Sequence, residues 1–265
     1  MNIMMVKINL AIILAFALVV TMLGAIFFYV DTQKIDMPVR LLPRVAHAGG
    51  GYSGLTYTNS IEALESNSDK FELFEIDFSF TSDGQLVCIH DWDVSAEVVF
   101  GKKFDSPPTF DQFVTQRDRG SRFTILTLDT LAAWLTSHPG KRIVTDVKGE
   151  NLKALRIMLE RYPEIRDSLI PQIYHPNEYS EVKKLGFKDI ILTLYRCRAP
   201  MPYVIFRTFF MDLYAVTIPI EQAYYARYFK KIGIPTYVHT INSSEGLNIM
   251  RRYGATEIYT DWLIK

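Results

Sequence analysis

From Arg44 onward, short apolar runs alternate with stretches whose apolar residues recur at helical spacing, and the alternation continues to the end of the chain. Runs of a few residues with β-branched and aromatic content predict strands at 44–46, 73–78, 142–147, 169–173, 189–194, 214–218, 236–240 and 257–260. Helical spacing predicts helices at 60–67, 128–136, 151–161, 178–185, 202–210, 220–231 and 244–253. Asn242-Ser-Ser-Glu245 supplies an N-cap and an acidic first turn. Gly186, Gly233 and Gly254 follow helices as C-terminal glycines do. Strand and helix units repeating over about 220 residues predict an α/β fold, a closed (β/α)8 barrel of the triosephosphate isomerase type. A doubly wound open sheet is the alternative.

Upstream the pattern is different. Residues 8–30 are apolar and carry no charge, and a helix of that length spans roughly 30 Å, the thickness of a bilayer core. The run ends in Phe-Phe-Tyr-Val-Asp rather than an Ala-x-Ala-like site, so a transmembrane signal anchor is expected, with a cleaved signal peptide as the alternative. Residues 31–43 hold charges and prolines without periodicity and read as a linker. The division is thus 1–37 for anchor and linker and 38–265 for the barrel. The short N-terminal tail argues for an extracytoplasmic domain, although Lys34, Arg40 and Arg44 count the other way.

Composition changes this picture little. The 265 residues suit one domain beyond the anchor. Twenty-nine basic and 29 acidic residues give zero net charge, which excludes the basic excess of a nucleic-acid binder. Cys88 and Cys197 can bridge, but one pair makes no disulfide framework.

The candidate chemistry centres on the stretch from Phe74 to Asp91. Phe74, Ile76, Phe78 and Phe80 alternate with Glu75 and Asp77, so two carboxylates share one strand face and need a cation, a metal ion or solvent to balance them. Thr81-Ser-Asp-Gly84 reads as a hairpin turn, and residues 86–89 return to bring His90 and Asp91 near the two acids. Singly, a Glu-x-Asp is a solvated face and a His-Asp pair a capping turn. Together around one hairpin they describe a metal site with an acid/base group beside it. In a barrel the strand C-terminal ends carry the chemistry. His47, Glu75, Asp77, His90, Asp146, Lys148, Gln172, His239 and Asp261 then converge on one rim. Carboxylates from two strands give the oxygen-rich surroundings that Mg²⁺ or Ca²⁺ prefers.

These residues carry a resemblance. Ala-His47-Ala-Gly-Gly followed by Tyr57-Thr-Asn59-Ser-Ile-Glu-Ala-Leu resembles the opening motif of the glycerophosphodiester phosphodiesterase family. Glu75-x-Asp77, Thr81-x-Asp83-Gly84 and His90-Asp91 resemble its second motif, the most specific part. Thr127-Leu128, Asp146-x-Lys148, His239-Thr240-x-Asn242 and Gly254 with Thr260-Asp261 match later blocks, so the likeness covers residues 44–262. It implies metal-dependent hydrolysis of glycerophosphodiesters to an alcohol and glycerol 3-phosphate. His47 and His90 are then the acid/base pair, and Glu75, Asp77 and Asp146 the ligands of a divalent ion. Lys148, Asn59, Gln172 and His239 are the expected substrate-binding residues. The chain departs from the family at Ala48 (usually Arg), Thr58 (Glu), Asp146 (Glu) and His239 (often Trp). Losing the Arg removes one positive charge from the phosphate's surroundings. Competing readings are phospholipase C- or D-like cleavage of lipid or lysolipid, and a catalytically silent membrane-anchored binding domain. An aromatic stretch over 195–211, with Tyr203, Phe206, Phe209 and Phe210, is the candidate lipid-access segment, or else a core helix.

Overall fold

A computed structural model describes residues 3–32, 38–118 and 122–264. Residues 33–37 of the expected linker lie outside the described residues. Among the described residues, eight parallel strands close on themselves: β1 (Val45–Ala46), β2 (Leu73–Phe80), β4 (Arg142–Val147), β5 (Leu169–Ile173), β6 (Ile191–Thr193), β7 (Ala215–Pro219), β8 (Thr236–His239) and β9 (Glu257–Thr260). β1 pairs with both β2 and β9, which closes the barrel. The ninth strand, β3 (Leu86–Val87), runs antiparallel along the tip of β2. The barrel is therefore the expected one, and the open sheet is excluded.

The period-two pattern explains where the core sits. Even-numbered positions of β2, Phe74, Ile76 and Phe78, are fully buried in the layer between strands and helices. Odd-numbered positions face the barrel interior. There Val45, Leu73, Val144, Ile170, Ile191, Ala215, Tyr237 and Tyr259, one from each strand, form a separate apolar plug. Truncating Phe78 to Ala, at 0% exposure, is expected to cost about 3–5 kcal/mol of stability in denaturant unfolding.

The helices are α2 (Ile61–Asn67), α5 (Leu128–Ser137), α6 (Asn151–Arg161), α7 (Tyr179–Lys184), α8 (Met201–Thr208), α9 (Ala226–Lys231) and α10 (Ser244–Arg252). Two details differ from the sequence pattern. The expected helix over 220–231 divides into a 3-10 segment, Ile220–Tyr225, followed by α9. The expected cap of α10 is Ser243, which accepts from the Gly246 N–H. Two helices, α3 (Val94–Phe100) and α4 (Phe110–Asp118), were not predicted; they form an excursion between β3 and α5. This excursion has a small core of its own, with Val87, Ile89, Ala96, Val99, Phe113, Phe123 and Ile125. Cys88 and Cys197 are free thiols, so no bridge forms between them.

The apolar run at the N-terminus forms α1 (Ile3–Thr32), which packs against α8 and α9. Its described apolar side chains, Ile12, Leu14, Leu18 and Phe28 among them, are exposed. Among the described residues, no helix is long and apolar enough to cross a membrane. The transmembrane expectation is thus unsupported. The aromatic stretch over 195–211 divides. Tyr195 follows β6 at the strand C-terminal end, α8 buries Val204 and Ile205 as the core-helix alternative expects, and Phe209 and Phe210 are exposed after α8, at the opposite end of the barrel.

Candidate active site

One step of two residues along each strand separates the apolar plug from the chemistry. Above Val45, Leu73, Val144, Ile170, Ile191, Ala215, Tyr237 and Tyr259 come His47, Glu75, Asp146, Gln172, Thr193, Thr217, His239 and Asp261. Strand alternation points all of them inward at the C-terminal mouth, and Asp77 stands one step above Glu75. β2 and β4 are in register with Asp77 opposite Asp146.

Glu75, Asp77 and Asp146 each offer an oxygen, and the three lie within 4.8 Å of one another. All three are buried. Glu75 accepts from the Ala48 N–H at 2.8 Å through Oε2, while its Oε1 is buried with no partner among the described residues. Burial, and then the charge of Asp77, push the Glu75 carboxyl well above the ordinary carboxylate range. Lys148 Nζ lies 2.8 Å from Asp77 and 2.6 Å from Asp146, joining β2 to β4. Its own pKa is raised: burial would lower it, but the two aspartates outweigh burial. Burial alone would raise Asp77; Lys148, His90 and His47 hold it lowered instead.

Lys148 and a protonated His47 offset only half the charge of Glu75, Asp77, Asp146 and Asp261. An unpaired buried oxygen on a carboxylate forced toward neutrality is what a divalent ion would relieve. The three acids fit a hard, oxygen-preferring cation.

Each histidine has a carboxylate behind it. His47 is 8% exposed, and its Nδ1 lies 2.8 Å from Asp261. Burial would lower its pKa, but Asp261, Glu75 and Asp77 overcome this and raise it to about 9. Asn242 holds Asp261 in turn, donating to its carboxylate at 2.7 Å and accepting from its backbone N–H at 2.7 Å. His90 is delivered by the hairpin: Thr81 closes the turn onto Asp83 at 2.6 Å, and Ser79 donates to the Ile89 carbonyl at 2.8 Å. Asp91 then meets His90 Nδ1 at 2.8 Å while accepting from the Ser95 hydroxyl and from the Asp93 and Ser95 N–H groups at the start of α3. It is both an orienting group and a cap. Burial would raise it, but these hydrogen bonds lower its pKa to about 2.

Tyr57 separates the two imidazoles. Its ring meets His47 edge-on at 4.6 Å and His90 at 5.1 Å. Its loop is unusual: Ala48, Ser53, Tyr57 and Asn59 all have positive φ, at 49°, 50°, 59° and 43°. Such non-glycine positions cluster where a site over-determines the backbone. Gly50 (φ +86°) must stay small for a second reason, since a Cβ there would lie 2.6 Å from Asn67 Nδ2.

The other expected residues sort clearly. Asn59 spends both ends of its amide on Asp77, donating to Oδ2 at 2.8 Å and accepting from the backbone N–H at 2.9 Å. It positions a carboxylate rather than reaching for substrate. Gln172 is buried on the inward face of β5. His239 presents an Nε2 with no partner among the described residues, and burial, then the charge of His47, lower its pKa to about 4. It is a neutral imidazole beside Tyr195 and Tyr259. Sequence reasoning missed Tyr174 and Tyr195, whose hydroxyls donate to Asp146 at 2.5 and 2.9 Å, because tyrosines at strand ends read as core. It placed Asp261 on the rim without assigning it to His47, 214 positions away.

Converting Asp261 to Asn removes the partner charge. In metal-free protein the His47 titration midpoint, followed by NMR, is expected near 9 and should drop in the variant. Because the folded value exceeds the unfolded value of about 6.5, the pair stabilises the fold fully below that value. The stabilisation is lost as pH rises through 9.

No family model matches the chain, and no curated protein matches it in sequence. Its structure is similar to solved ones. A glycerophosphodiester phosphodiesterase from Thermotoga maritima is 22% identical, with a TM-score of 0.62 over 84% of this chain and 96% of that one. One from Parabacteroides distasonis is 19% identical, with a TM-score of 0.63 over 82% and 92%. A phosphodiesterase from Oleispira antarctica, in complex with the product sn-glycerol-3-phosphate, is 17% identical, with a TM-score of 0.62 over 84% and 94%. The chain has the fold of these phosphodiesterases.

Proposed function

We propose that this protein is a glycerophosphodiester phosphodiesterase, hydrolysing its substrate to an alcohol and glycerol 3-phosphate with a divalent ion, Mg²⁺ or Ca²⁺. The observation that carries the proposal is the unpaired Glu75 Oε1 within a three-carboxylate cluster, flanked by two histidines each backed by an aspartate. The fold it shares with solved phosphodiesterases supports the same reading.

Glu75, Asp77 and Asp146 would hold the ion, which supplies positive charge for the phosphate oxygens as they gain negative charge. Lys148, beside the same oxygens, adds a fixed cation. His47, kept protonated by Asp261 and the acidic cluster, donates a proton to the leaving alkoxide. His90, oriented through Nδ1 by Asp91, accepts one from the attacking oxygen at Nε2. His239, a neutral imidazole whose Nε2 has no partner among the described residues, is the proposed group for a phosphate or substrate hydroxyl oxygen. A panel of glycerophosphodiesters, lysolipids and lipids assayed with and without chelator tests the proposal. Absence of chelator-sensitive hydrolysis of every glycerophosphodiester would refute it.

The N-terminal helix is proposed to hold the protein at a membrane, with residues 38–265 as an independently folding, extracytoplasmic catalytic domain. Its uncharged stretch and exposed apolar side chains support this. Expressed alone, 38–265 should be soluble and should retain activity on a small soluble diester. Its activity on vesicle-embedded substrate should fall, since tethering no longer raises local concentration. Loss of folding would show instead that α1 is an integral part of the barrel's helical layer.

A further inference from the structure

One tyrosine separates the acidic cluster from a second cavity. Tyr174 donates its hydroxyl to Asp146, and the same residue helps to wall a cavity of about 440 Å³ lined by residues that follow β4, β5 and β6. Three cationic side chains, Lys153, Arg156 and Arg196, line it together with two carboxylates, Glu150 and Glu178.

The carboxylates are already committed within the protein. Glu178 accepts from the Tyr174 N–H at 3.3 Å through one oxygen and from the Asn151 amide at 3.0 Å through the other. Glu150 pairs with Lys153 at 2.8 Å. Neither acid therefore answers Arg156 or Arg196. Arg196 is held in place from behind: one N–H donates to the Val147 carbonyl at 2.9 Å, and the guanidinium lies 4.3 Å over the Tyr174 ring. A guanidinium carries five N–H donors in a rigid fork, so donors remain for a ligand. Arg156 is exposed on α6. Two guanidiniums facing a cavity in the size range of small-ligand sites suit an anion of carboxylate or phosphate geometry.

We propose that this cavity binds a second anionic group carried by the alcohol of the phosphodiester, so that the favoured substrates bear a carboxylate or phosphate besides the phosphate that is cleaved. The inference rests on the functional reading above and deepens it. The scissile phosphate lies at the acidic cluster and Lys148, and the second anion lies one tyrosine away on Arg156 and Arg196. Two sources share this chemistry: a carboxylate, as on serine, and a phosphate monoester, as on a phosphorylated glycerol.

The test compares kcat/KM of the full-length protein, with saturating Mg²⁺, on two matched pairs of diesters. Glycerophosphoserine differs from glycerophosphoethanolamine by a carboxylate, and glycerophosphoglycerol phosphate differs from glycerophosphoglycerol by a phosphate. In at least one pair the anionic member should exceed its partner by about tenfold or more, the scale of a hydrogen bond to a charged group. Arg156→Glu and Arg196→Gln should each bring that ratio to one or below. Arg156 is exposed, so its variant stays informative if losing the Val147 contact unfolds Arg196→Gln. Which pair shows the preference identifies the source of the anion. Ratios near one in the parent, or a ratio untouched by Arg156→Glu, overturn the subsite while leaving the phosphodiesterase reading intact. If no diester is hydrolysed, that reading falls, and calorimetry decides the subsite separately. Phosphoserine binding more tightly than phosphoethanolamine, with the difference lost in Arg156→Glu, supports it; equal binding overturns it.

Discussion

Replacing His47 or His90 with alanine is expected to lower turnover of a glycerophosphodiester by at least about a hundredfold while the fold persists, the range for loss of a general acid or base. The two variants should differ in character. His47 is a buried cation whose Nδ1 sits on Asp261, and its removal leaves that aspartate with Asn242 as remaining partner. An uncompensated buried charge is costly, so His47→Ala should also lower the melting temperature. His90 is more exposed, and Asp91 keeps its hydrogen bonds to the start of α3 without it. His90→Ala should therefore melt close to the parent. Turnover, circular dichroism and thermal melting together check this. A variant turning over near the parent rate would remove that histidine from the mechanism.

The second large effect concerns the ion. Chelation is expected to reduce hydrolysis to background, with activity restored by Mg²⁺ or Ca²⁺. Glu75→Gln should behave as chelated protein at ordinary metal concentrations, because it removes a ligand charge and leaves the same volume. The readout need not be turnover. Tyr57, Tyr174 and Tyr195 surround the cluster, so metal titration should change tyrosine fluorescence in the parent and not in Glu75→Gln. Metal-free protein should stay folded, since Lys148 already spans Asp77 and Asp146. Activity that survives exhaustive chelation would exclude the metal role.

Much of this site was legible because strand parity is a hard constraint. Once Phe74, Ile76 and Phe78 are assigned to the outer layer, Glu75 and Asp77 must face inward. Parallel strands in register then fix Asp77 beside Asp146. Three things escaped. The His47–Asp261 pair depends on barrel closure between the first and last strands, which no local pattern encodes. Tyr174 and Tyr195 carry polar function on residues that pack as aromatics. The excursion containing α3 and α4 was missed because its helices are short and α3 begins on a charge from Asp91 rather than on a strong apolar period. Asn59 was placed correctly near the site, but its amide can serve one partner set at a time, and Asp77 takes both ends.

That excursion has a consequence for how such an enzyme diverges. The three-carboxylate cluster and His47 belong to the barrel and its packed layers, where most substitutions disturb many neighbours. His90 belongs to a hairpin leading into a unit with its own small core, centred on Val99 and Phe113. Insertions, deletions or wholesale exchange between Asp91 and Leu126 can reshape the wall of the site beside His90 while the acidic cluster stays as it is. One wall of the site can therefore vary by the editing of one surface unit, with the acidic cluster and His47 left as they are.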